Sequence, residues 1–135
     1  MCQYCYLVCN YNKCSYLRVF VNKEEILDHL IKTSQKYEKN TVYEIGSNSD
    51  LLLENEVTED LKENLEYFFK NSNKGILTFP TKFSNINPIL QINYIERLIP
   101  RVSLNPDNII TRYELRTSNL QERISAINEL CESRI

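Results

Sequence analysis

The chain has 135 residues, 42% of them hydrophobic and 25% charged, which is enough apolar material for one core and sets one domain as the ceiling. A formal net charge of -2 at pH 7 excludes a broad cationic surface for nucleic-acid phosphates, so any such contact must be local. No apolar run approaches the roughly 18 residues that cross a bilayer, and no basic-then-apolar secretory pattern opens the chain, so the expectation is a cytoplasmic protein with no membrane partner.

Four of the five cysteines, Cys2, Cys5, Cys9 and Cys14, crowd the first stretch of chain. In a reducing compartment that crowding points to metal or redox chemistry rather than a disulfide scaffold. Residues 16–21 (Tyr-Leu-Arg-Val-Phe-Val) alternate like a strand. Asn22 then stands as an N-cap before a helix whose apolar residues Ile26, Leu27, Leu30 and Ile31 keep helical spacing, with Glu24, Glu25, Asp28 and Lys32 toward water. This helix is expected to end near Lys39 and Asn40, and its His29, the only histidine, reads as structural.

Residues 41–45 form a short strand rich in branched and aromatic side chains, followed by Gly46 and the polar loop Ser47-Asn48-Ser49-Asp50. Thr58, Asp60 and Leu61 open a second helix with an apolar face of Leu61, Leu65, Phe68 and Phe69, closed by the turn at residues 71–75. Residues 76–79 are the next strand, with Pro80-Thr81-Lys82 as its exit. Residues 86–98 are weakly helical around Pro88, and residues 101–104 make a fourth strand. The last helix spans residues 118–131, with Leu120, Ile124, Ile127 and Leu130 as its apolar face; Cys131 reads as a buried small hydrophobe.

Strands alternating with helices favour an α/β fold with parallel strands and crossover helices. Ligands of such folds bind at the carboxyl ends of the strands, so Ser49, Lys82 and Ser103 could face one site. The alternative is that all three are solvated turn residues.

Cys2-Gln3-Tyr4-Cys5-Tyr6 resembles the end of the C-x-x-x-C-x-x-C loop of radical S-adenosylmethionine enzymes, and more closely that of the spore photoproduct lyase family. The likeness continues through Tyr6-Leu7, Arg18-Val19-Phe20-Val21-Asn22, the Glu-x-x-x-x-Ser-Asp element from Glu44 to Asp50, Thr81-Lys82-Phe83 and Ser103-Leu104-Asn105. A C-x-x-C pair alone is weak, since zinc and thioredoxin-like sites share it, whereas several matching elements in order are specific.

The resemblance implies a partial (β/α) barrel of the radical S-adenosylmethionine type, with about four of six strand-helix units and residues 1–135 as an incomplete core domain. It implies two cofactors, a 4Fe-4S cluster and S-adenosylmethionine, whose reductive cleavage yields a 5'-deoxyadenosyl radical. Cys2 and Cys5 would be cluster ligands, and Ser49, Lys82 and Ser103 would hold the polar groups of S-adenosylmethionine, with Lys82 suited to its carboxylate. Tyr4 and Tyr6 match tyrosines that pass a hydrogen atom back to the cofactor, or else pack around the cluster. The full-length family acts on DNA, repairing ultraviolet-induced thymine lesions, with a reductant protein as a further partner; the oligomeric state stays open.

The sequence departs from that pattern in three places. The first cluster cysteine belongs four positions before Cys2, ahead of Met1, and Cys9 and Cys14 do not keep the loop's spacing. Ser47 stands where the family has a hydrogen-donating cysteine, and an alcohol O-H bond is much stronger than a thiol S-H bond. The chain also ends at Ile135, before the rest of the barrel and the lesion-binding region. The expectation is therefore a fragment that is inactive alone, marginally stable and prone to associate. Two other readings are a non-catalytic zinc protein using Cys2, Cys5, Cys9 and Cys14, and a thiol redox protein using Cys2 and Cys5.

Overall fold

The computed structural model describes residues 3–5, 19–38, 40–93 and 95–133. Three parallel strands, β1 (Val42–Glu44), β2 (Ile76–Thr81) and β3 (Leu98–Val102), lie side by side in chain order. Val42 pairs with Ile76 across the first interface and Leu77 with Leu98 across the second. Parallel neighbours need a return path, and helices provide it. After α1 (Lys23–Gln35) and β1, the chain returns through α2 (Leu51–Thr58) and α3 (Leu61–Asn71) to β2. It then passes through α4 (Asn87–Leu90) and a short 3-10 turn (Ile95–Arg97) to β3, and closes with α5 (Asp107–Tyr113) and α6 (Leu120–Glu132). No helix among the described residues is long and apolar enough to cross a membrane.

The core forms where the periodic apolar faces meet. Leu65, Phe68 and Phe69 of α3 turn inward with Ile31 of α1, Leu77 and Phe79 of β2, Ile89 of α4 and Leu98 of β3. The central strand is buried on both faces, as a parallel strand covered by helices should be.

The structure corrects several sequence expectations. Of the strand expected over residues 16–21, only residues 19–21 are described, and Val19, Phe20 and Val21 are irregular and exposed, Val21 at 93%. The first helix stops at Gln35 instead of near Asn40, because Lys36 turns back onto the carbonyl of Thr33. The fourth strand runs from Leu98, not Arg101, with Leu98 and Val102 turned inward; Pro100 is tolerated there because β3 is an edge strand of the described sheet. On α6 the fully buried line is Arg123, Ala126 and Leu130, with Leu120, Ile124 and Ile127 only half-buried beside it. That rotation turns Cys131 outward, so it is exposed, against the expectation of a buried thiol.

Candidate functional site

The polar loops gather at the carboxyl edge of the sheet. Just beyond β2 and β3 the ladder continues for one more bond, the Ser103 amide donating to the Thr81 carbonyl at 2.8 Å. The loop after β1 is tied to this edge by Asp50. Its Oδ1 caps α2 by accepting from the Leu52 amide at 3.2 Å and accepts from the Thr81 hydroxyl at 2.8 Å, while its Oδ2 accepts from the Lys82 amide at 2.8 Å. Gly46 makes the approach possible: its φ is +70°, and a Cβ there would stand 2.5 Å from Leu51 Cγ.

At the centre lies a carboxylate whose acceptor capacity is heavily used. Glu114, 1% exposed, follows α5 and accepts on Oε1 from Lys82 Nζ, from the Tyr4 hydroxyl and from Asn105 Nδ2, the last at 2.7 Å. Its Oε2 accepts from Arg123 Nη2 at 2.7 Å. Arg123 is 0% exposed, and every donor group of its guanidinium is used: Nε on the Ser118 carbonyl, Nη1 on the Ser103 carbonyl, and Nη2 on Glu114 and on the Thr117 hydroxyl. Burial on its own pushes the Glu114 carboxyl up, but hydrogen bonds from Lys82, Tyr4, Arg123 and Asn105 prevail and hold it at about 2. The network therefore contains one anion and two cations.

Tyr4 reaches this cluster from the other end of the chain. The Gln3 amide donates to the Tyr113 carbonyl at 2.8 Å, the Tyr4 hydroxyl accepts from Lys82 Nζ at 3.2 Å, and Nζ stands 5.4 Å from the centre of the Tyr4 ring. Lys82 is consequently held between an aromatic face and a buried carboxylate.

Of the residues singled out from the sequence, Tyr4, Lys82 and Ser103 meet in this network, directly or through Arg123, whereas Ser49 is exposed and its amide donates to the Gly46 carbonyl at 3.2 Å. Ser47 does not join. It is exposed and donates to Glu44 Oε1 at 3.1 Å, where Glu44 is ion-paired with Arg101. Cys5 is half-buried in the same segment as Tyr4, whereas Cys2, Tyr6, Cys9 and Cys14 lie outside the described residues. Among the described residues no cluster of three or more His, Cys, Asp or Glu side chains could hold a metal ion.

The sequence profile of the spore photoproduct lyase family matches residues 1–134. The chain belongs to that family. It is 35% identical over 126 residues to spore photoproduct lyase of Bacillus subtilis, covering 93% of this chain and 36% of that protein. To spore photoproduct lyase of Clostridium acetobutylicum it is 32% identical over 134 residues, covering 98% of this chain and 40% of that protein. It thus spans between 36% and 40% of the length of these two relatives. Among solved structures, spore photoproduct lyase complexed with dinucleoside spore photoproduct superposes with a TM-score of 0.88 at 27% identity, over 98% of this chain and 39% of that one. A variant of spore photoproduct lyase with bound AdoMet and dinucleoside spore photoproduct gives the same TM-score and identity.

Within this network, sequence reading missed Glu114 and Arg123. An isolated glutamate reads as solvated surface. The available signal was Arg123, a lone cation beside the apolar stripe of α6, which a buried face admits only with a partner.

Proposed function

We propose that this chain is the S-adenosylmethionine-binding part of a spore photoproduct lyase-like protein, built as part of a (β/α) barrel with residues 1–135 in its core domain. In its whole form the protein would repair ultraviolet-induced thymine lesions in DNA, with a reductant protein supplying electrons. The observation that carries this reading is the state of Lys82: its side chain is 25% exposed at the carboxyl edge of the sheet, while that of its counterion Glu114 is 0% exposed behind it. A cation presented to solvent in front of a buried carboxylate suits an incoming zwitterion.

The residues fit the amino-acid end of S-adenosylmethionine. The Lys82 ammonium would meet its carboxylate, and the hydroxyls of Ser49 and Ser103 would take its remaining polar atoms. For a 4Fe-4S cluster the described residues offer Cys5, with Cys2 as the second ligand from the matched loop. When bound, the cluster and S-adenosylmethionine supply one-electron reductive cleavage of a sulfonium. Tyr4 and Tyr6 would serve hydrogen-atom return. Ser47, at the family's cysteine position, is a poor hydrogen donor, so the chain as it stands would be inactive or nearly so in lesion repair.

Anaerobic reconstitution with iron and sulfide tests the cluster: wild type should develop the brown charge-transfer absorption, and Cys5→Ala should not. Equilibrium titration with S-adenosylmethionine tests the pocket, where Lys82→Ala should weaken binding by roughly tenfold to a hundredfold, the range for one charge-assisted hydrogen bond. One tightly held zinc per chain and no chromophore would overturn the cluster assignment, and equal binding by Lys82→Ala would overturn the pocket.

A further inference from the structure

Lys82 is anchored 32 residues away from its own position in the chain, and Tyr4 110 residues away, on the same oxygen of Glu114. That oxygen belongs to a carboxylate held by the guanidinium of Arg123, which also grips the Ser103 carbonyl at 2.8 Å. Three pieces of backbone with no neighbour relation in the sequence, the Gln3-to-Cys5 segment, the exit of β2 and, through Asn105 Nδ2 at 2.7 Å, the exit of β3, are therefore referred to one side chain. A lysine stem and an exposed tyrosine, 55% accessible, have many rotamers, and a fixed acceptor selects one combination.

We propose that Glu114 is the positioning residue of this site. It sets the Lys82 ammonium and the Tyr4 hydroxyl in one fixed arrangement, and Arg123 holds Glu114 in place. Glu114 touches no ligand in this scheme; it acts through Lys82 and Tyr4. The consequence for S-adenosylmethionine rests on the proposed function, whereas the pinning of Tyr4 does not.

Two measurements on the full chain keep these apart. Peptide-resolved hydrogen exchange with no cofactor added should show the segment holding Gln3 and Tyr4 exchanging about tenfold faster or more in Glu114→Gln than in wild type, and faster also in Tyr4→Phe, where β2 amides stay unchanged. Tyr4→Phe, which removes one hydroxyl at the surface, should give the same acceleration and covers the case that Glu114→Gln does not fold. Unchanged exchange in folded Glu114→Gln, or in Tyr4→Phe, overturns the proposal whether or not S-adenosylmethionine binds. In titrations with S-adenosylmethionine, Glu114→Gln should weaken binding, and the double variant with Lys82→Ala should bind no more weakly than Lys82→Ala alone, because Glu114 acts through that lysine. Additive losses would overturn the positioning role. If wild type does not bind, the proposed function falls and hydrogen exchange alone decides the positioning of Tyr4.

Discussion

Arg123 is an expensive residue to place where it is: its charge has left water completely, and only its hydrogen bonds and Glu114 offset that. Removing it leaves Glu114 Oε2 without its donor and frees the Ser103 and Ser118 carbonyls. Arg123→Ala should therefore destabilise the fold by roughly 3–5 kcal/mol in urea unfolding, and a loss below about 1 kcal/mol would show that the pair is not formed. Glu114 adds a pH dependence of definite sign. Its carboxyl is held at about 2 against an ordinary 4.5, so its contribution to stability is full above 4.5 and is lost as pH falls toward 2. The size is roughly 3 kcal/mol. Wild type should thus exceed Glu114→Gln in stability at neutral pH, and the gap should narrow only below 4.5 in denaturant titrations run across that range.

At the scale of elements, Asp50 joins a helix to a strand end. Asp50→Ala removes the cap of α2 and two bonds to β2 and its exit, a loss of about 2 kcal/mol by denaturation. Asp50→Asn should cost less, since its amide oxygen still serves Leu52 and Thr81, and only the Lys82 amide loses its acceptor. These same elements mark how far the sequence was legible. β1, β2 and α3 were readable from branched residues or a clean apolar stripe, although β2 runs two residues past Phe79 to Thr81. α2 was hidden: Ser47 to Asp50 read as loop, and the run Leu51-Leu52-Leu53 after it has no polar face within one turn. α5 was hidden because its single buried residue, Ile110, gives no period to detect. The places of Lys82 and Ser103 just past the strands, and of Tyr4 in the cysteine loop, were legible. Glu114 was not, because its role depends on residues brought to it by the fold, and no local pattern records them.

Across the whole molecule, one apolar cluster runs from Ile31 of α1 to Leu130 of α6 and passes through Phe68, which is 0% exposed. Phe68 packs edge-on against Phe69 with ring centres 5.6 Å apart, and it fills the space at Gly75, where a Cβ would stand 3.1 Å from its ring. The charged network at the sheet edge hangs on this same cluster, since Arg123 is on the helix that contributes Ala126 and Leu130. A cavity at Phe68 should therefore be felt at both ends of the chain. Phe68→Ala is expected to cost roughly 3–5 kcal/mol, a large share of the 5–15 kcal/mol typical of a domain. Amide protection in α1 and in α6 should fall together, as in a single cooperative unit. Loss of protection in α1 with α6 unchanged would divide the core in two, and the site network would then stand on the α6 half alone.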